Sequence, residues 1–306
     1  MESTTPSGNL FILAFDHRGS FLKDLFGISG QPSTNEITAI ADLKHAIFEG
    51  IQRAVADGST RAEAGALVDE QFGGSVPGDA RAAGFVLAMP VERSGQAEFD
   101  FQYGDQFRDH ITKFDPDYVK VLVRYNPDGD AEMNRAQTAR LRELSDWLVS
   151  TDRKFLFELL VPATAAQLES VEGDADRYDR DLRADLMIRT IAELQAGGVE
   201  PKIWKIEGLD TAAEYAAVGD QCVAGGRDEV KCIVLGRGAD DAKVDHWLEA
   251  AALVPGYIGF AIGRSIWLGP LTQLRTGAID REGAVEQIAR NYARFIGVFK
   301  RARINP

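Results

Sequence analysis

The chain has 306 residues, 45% of them hydrophobic, which is enough for one sizeable core and close to the length at which chains divide into domains. A formal net charge of −13 leaves no broad basic surface for nucleic acid or an anionic membrane, so an anionic ligand has to be held by a few local cations and backbone amides. No apolar run is long enough to cross a bilayer, and the N-terminus lacks the positive-then-apolar order of a signal peptide, which together predict a cytoplasmic protein.

After a short tail over residues 1–8, expected to be flexible, a single rhythm runs along the chain: a brief apolar stretch, a polar or glycine-bearing loop, then an amphipathic segment. The first stretch, 10–15, runs into Asp16-His17-Arg18-Gly19-Ser20, which lacks the spaced glycines of a dinucleotide-binding turn and so argues against a doubly wound open sheet. Ile40, Leu43, Ile47, Ile51 and Val55 then return at helical spacing. The second and third stretches, 65–68 and 84–89, lead into loops containing Gln71 and Glu92-Arg93-Ser94-Gly95.

The fourth stretch, 118–123, carries Lys120 and ends at Arg124 on the same phase, followed by Asn126-Pro127-Asp128-Gly129-Asp130, whose acidic residues read best as turn chemistry. Glu158 interrupts the fifth, 155–160, and Lys205 the sixth, 203–206. The seventh, 230–235, is followed by Gly236-Arg237-Gly238, and the eighth, 257–262, by Gly263-Arg264. A last helical stripe comprises Val285, Ile288, Tyr292, Phe295 and Phe299. Eight strands alternating with helices and no linker between halves predict an α/β fold, a single (β/α)8 TIM barrel spanning residues 1–306.

Alternate residues of a strand point the same way, and a charge on the core-facing phase is costly unless it is paired or has a task. Asp16, Lys120, Glu158 and Lys205 occupy that phase on four different strands, so they are expected to converge at the C-terminal mouth of the barrel. Desolvation and a second ammonium nearby are expected to favour the free amine of Lys205, which then attacks a ketone. The apolar neighbours of Glu158 suggest a raised pKa suited to proton transfer. Loops after the seventh and eighth strands are the usual phosphate grip of barrel enzymes, which nominates Gly236, Arg237, Gly263 and Arg264, while Arg124 and Gln71 are further substrate-binding candidates.

His45, His110 and His246 sit away from strand ends, and His17 is out of phase with Asp16, so neither a metal site nor another cofactor is expected and a metal-dependent lyase is set aside. Cys222 and Cys232 have no ligand spacing and read as buried thiols.

From the sequence at residues 13–20 to Gly-Phe-Ala-Ile-Gly-Arg at 259–264, the chain resembles the class I aldolases of the tagatose-bisphosphate aldolase type. It is most similar to the 2-deoxy-5-keto-D-gluconate 6-phosphate aldolase domain of bacterial inositol catabolism. The resemblance implies a TIM barrel, Schiff-base chemistry without a metal, Lys205 as the amine, Glu158 as the acid/base, Lys120 and Asp16 as supporting residues, and Gly263-Arg264 as the phosphate turn. Where the tagatose-bisphosphate enzymes have a serine-bearing turn, this chain has Gly236-Arg237-Gly238, as the inositol-pathway domain does, which suggests a second anionic group on the substrate. The expected reaction yields dihydroxyacetone phosphate and malonate semialdehyde. The alternatives are the same chemistry on tagatose 1,6-bisphosphate or a sulfofructose phosphate, and a non-catalytic phosphosugar-binding barrel. A small-molecule ketose is the expected partner, with a homo-oligomer left open.

Overall fold

The structure, a computed structural model, describes residues 8–56 and 61–304. Apart from Gly8, the expected flexible tail lies outside the described residues. Eight parallel strands form a closed ring in chain order: β1 (Leu10–Ala14), β2 (Ala64–Leu67), β3 (Val86–Pro90), β4 (Tyr118–Arg124), β5 (Lys154–Leu160), β6 (Ile203–Glu207), β7 (Lys231–Leu235) and β8 (Tyr257–Ile262). The predicted (β/α)8 barrel is the observed fold, with strand ends within two residues of their expected places.

The strands are apolar on both faces because both faces are covered. Ile12, Leu67, Ala88, Leu156, Ile203 and Ile233 fill the barrel interior, whereas Phe11, Val121, Phe157, Trp204 and Phe260 belong to the larger core beneath the helices. Helix starts follow from local chemistry: Ser33 with Glu36, Thr164 with Gln167 and Thr211 with Glu214 form capping boxes. Asp130 caps the helix Ala131–Ser150, and Asp128 pairs with Arg189, so both acidic residues after β4 are spent on structure. The predicted C-terminal stripe is buried on the helix Arg281–Ile304, whose Tyr292 hydroxyl donates to the Phe11 carbonyl at 2.6 Å. Among the described residues, no helix is long and apolar enough to cross a membrane.

The ring closes where Leu10 of β1 registers with Gly259 of β8. Gly259 has φ of 151°, and a Cβ there would lie 2.0 Å from the Leu10 carbonyl oxygen. That oxygen belongs to the backbone and has nowhere to go. Gly259→Ala is therefore expected to destabilise the fold by about 4 kcal/mol, combining strain and overlap. Urea unfolding measures it, and a loss below about 1 kcal/mol shows the seam to be looser than described.

Candidate active site

The inward phase of β1, β4, β5 and β6 delivers Asp16, Lys120, Glu158 and Lys205 to the foot of a cavity of about 510 Å³ at the C-terminal end of the strands. Glu158 and Lys205 are register neighbours on adjacent strands, which sets Lys205 Nζ 2.8 Å from Glu158 Oε1. Lys120 Nζ lies 3.0 Å from the other Glu158 oxygen, 2.8 Å from Asp16 and 2.9 Å from Glu92. Arg18 pairs with Glu92 at 3.1 Å. Three carboxyl groups thus face Lys120, Lys205 and Arg18, a balanced cluster in which every charge has an opposite within reach.

This balance overturns the expectation for Glu158. Burial pushes its carboxyl up, but the ammonium groups of Lys120 and Lys205 outweigh burial and hold it below the usual carboxylate range. Asp16 is lowered as well, burial being overcome by Lys120 first. Glu92 goes the other way, because desolvation exceeds what Lys120 and Arg18 return. Lys120 is raised: desolvation favours its free amine, but Asp16, Glu158 and Glu92 together win. Glu92 is thus one of three carboxyl groups that keep Lys120 an ammonium beside Glu158.

Glu92 and Arg18 are the residues that reasoning from strand phase missed. Val86, Ala88, Pro90 and Glu92 share one phase, and Glu92 stands two residues past the end of β3 just as Asp16 stands two past the end of β1. His17 also lines the cavity despite its opposite phase. Gln71 is a correction: it is exposed and does not line the cavity. The reason is its neighbour Asp69, which is buried, ion-paired with Lys44 of the helix Thr34–Ala54, and accepts from the Phe72 amide at 2.8 Å. That pairing draws the loop down onto the helix and leaves Gln71 outside.

The remaining binding candidates line the cavity. Arg237 is spent on Asp179 at 2.6 Å and Glu207 at 3.1 Å, and Arg93 on Asp100 at 3.0 Å. Arg264 donates only weakly to the Arg237 carbonyl at 3.4 Å, and Arg124 donates to the Gln96 carbonyl at 3.0 Å. Among the described residues neither has a carboxylate partner. They follow β8 and end β4, which stand opposite each other in an eight-strand ring. Gly238, at φ of 74°, lets the β7 turn pass beneath Arg264, because a Cβ there would come within 2.5 Å of its guanidinium. Gly263 opens the 12-residue helix Arg264–Arg275, and Gly263, Arg264 and Ser265 at its N-terminus all line the cavity. No group of three or more His, Cys, Asp or Glu among the described residues is placed to hold a metal ion.

Residues 2–303 match the family described as "uncharacterized protein conserved in bacteria (DUF2090)". None of the curated proteins matches the sequence. Among solved structures, the chain is similar to a Schiff-base-forming fructose-1,6-bisphosphate aldolase, at 12% identity and a TM-score of 0.56, covering 95% of each chain. It is also similar to a fructose-bisphosphate aldolase from Slackia heliotrinireducens, at 11% identity and a TM-score of 0.56, over 94% of this chain and 87% of that one. A Corynebacterium glutamicum protein matches at 19% identity and a TM-score of 0.53, over 95% and 88%. At these identities the likeness is one of fold.

Proposed function

We propose, from the premise that the chain belongs to the DUF2090 family of bacterial proteins, that it is a class I aldolase acting on a phosphorylated keto sugar acid. The observation that carries this reading is the buried Lys205 amine, in contact with Glu158 and lining the same cavity as Arg264. Glu158 is the base within reach of the Lys205 proton, and the neutral amine adds to the substrate ketone. The carbinolamine loses water to give an iminium. A base then removes the proton from the hydroxyl on the carbon β to the iminium, the bond between that carbon and the α-carbon breaks, and its electron pair enters the iminium to form an enamine. The aldehyde leaves, the enamine carbon takes a proton, and water releases the second product. Lys120 and Asp16 hold Glu158 and the substrate oxygens in place.

The likeness of fold to the two fructose-bisphosphate aldolases supports this reading. Arg264 and Arg124, which have no carboxylate partner among the described residues, favour a substrate that is anionic at both ends. Arg264 has helix amides and a glycine turn beside it, which suits a phosphate. Arg124 is a single guanidinium in a cavity that Glu92 and Glu98 also line, which suits one carboxylate better than a phosphate dianion. The substrate that fits is 2-deoxy-5-keto-D-gluconate 6-phosphate, cleaved to dihydroxyacetone phosphate and malonate semialdehyde.

A panel of ketose phosphates tests this, with dihydroxyacetone phosphate release as the readout. The keto acid should give the highest kcat/KM, and Arg124→Met should lower it about 10- to 100-fold for that substrate. Preference for tagatose 1,6-bisphosphate or a sulfofructose phosphate assigns the same chemistry to another ketose. Tight binding with no turnover leaves a phosphosugar-binding barrel.

A further inference from the structure

The imidazole of His17 has no part in the steps above, yet it is fixed from several directions at the edge of the cavity. Its backbone carbonyl accepts from Lys44 Nζ at 3.0 Å. Its ring stands edge-on to Trp267 at 5.3 Å, and the Trp267 indole is itself tied to the Ala14 carbonyl at 2.9 Å. A Cβ on Gly263 would come within 3.0 Å of His17 Cε1, so the turn before Arg264 packs directly on the ring. Nδ1 is buried without a hydrogen-bond partner and faces Asp16 Oδ1 at 4.0 Å, while Lys120 holds the other Asp16 oxygen. Among the described residues, Nε2 has no hydrogen-bond partner either.

We propose that His17 is a specificity-determining residue that accepts a hydrogen bond from the hydroxyl beside the ketone in the dihydroxyacetone phosphate part of the substrate. A carboxylate opposite Nδ1 selects the tautomer with the proton on Nδ1, which turns the Nε2 lone pair outward. A lone pair needs a donor. Phosphate and carboxylate groups offer none at neutral pH, whereas a hydroxyl does, and His17 lines the same cavity as Lys205 and Arg264 with the Gly263 turn packed on its ring. The ring stays neutral under these conditions: desolvation lowers its pKa to about 4, with Asp16 opposing and Arg264 and Lys205 reinforcing the shift. The slack at Asp16 closes when the ligand polarises the ring, as active-site contacts tighten on binding.

This inference rests on the Schiff-base reading, and the experiment separates the two. Borohydride trapping, read by intact mass, compares dihydroxyacetone phosphate with hydroxyacetone phosphate, which lacks only that hydroxyl. The wild type should reach half-maximal trapping at a concentration about 10- to 100-fold lower for dihydroxyacetone phosphate. His17→Leu should bring that ratio close to one while leaving the trapping of hydroxyacetone phosphate within a few-fold of wild type. His17→Gln, which keeps an acceptor in reach of the cavity, should restore most of the preference. An unchanged ratio in His17→Leu overturns the proposal, as does an equal weakening toward both ketones, which marks a structural residue. If the wild type is trapped by neither ketone, the Schiff-base reading itself fails and takes this inference with it.

Discussion

Lys205→Ala is expected to lower kcat by about 10⁴-fold or more, the scale seen when a covalent nucleophile is removed. It should also abolish borohydride trapping with dihydroxyacetone phosphate, and peptide mass spectrometry of the wild type should place the adduct on Lys205 alone. The choice between the two lysines in contact with Glu158 is electrostatic. Lys120 is ringed by Asp16, Glu92 and Glu158, all within 3.0 Å, and its pKa is raised, so it holds its proton and has no lone pair to offer. Lys205 has the single carboxylate of Glu158 at 2.8 Å, and that carboxylate can receive its proton as the ketone arrives. The alanine variant leaves Glu158 paired with Lys120, so no buried anion is orphaned and circular dichroism should show a native fold. An adduct on Lys120, or undiminished cleavage by the variant, defeats the assignment.

Much of this arrangement is legible in the sequence because strand periodicity is a local property. Asp16, Lys120, Glu158 and Lys205 each stand on the phase of their apolar neighbours Ala14, Tyr118, Leu156 and Ile203, which is enough to send them into the barrel. What periodicity does not carry is who meets whom. Glu158 looks desolvated in the sequence, since Leu156, Phe157, Leu159 and Leu160 flank it. Phe157 and Leu159 face the helices, however, and the groups that touch the carboxylate come from β4 and β6. The sign of its pKa shift was therefore a question of register between strands. Gln71 failed for a related reason: its loop is positioned by the Lys44–Asp69 ion pair, a contact 25 residues apart in sequence and invisible to local pattern. Phase alone sets His17 opposite to Asp16, yet it lies beyond the end of β1 and lines the cavity as well.

Glu158→Gln is expected to lower kcat by about 10²- to 10⁴-fold, the range for loss of a positioned acid/base, with KM changed only a few-fold because the anion grips are untouched. The pH dependence gives the role its sign. Because the two ammonium groups hold the Glu158 carboxyl below its ordinary value of 4.5, it is a carboxylate throughout the neutral range, and any acid limb of wild-type kcat due to this group lies below pH 4.5. The same shift links to stability. A carboxyl whose folded pKa is lowered contributes stability that is fully present above its unfolded pKa and is lost as pH falls through the folded value. At pH 7 the glutamine variant leaves Lys205 without a carboxylate in contact and should be less stable by about 3 kcal/mol. That gap should narrow below pH 4.5 as the wild type loses what the variant never had, a comparison that urea unfolding at both pH values makes directly. Should Glu158→Gln keep wild-type kcat, the proton has to move through Glu92, the one carboxyl of the cluster contacting Lys120 whose pKa is pushed up and whose second oxygen, buried at the cavity wall, has no partner.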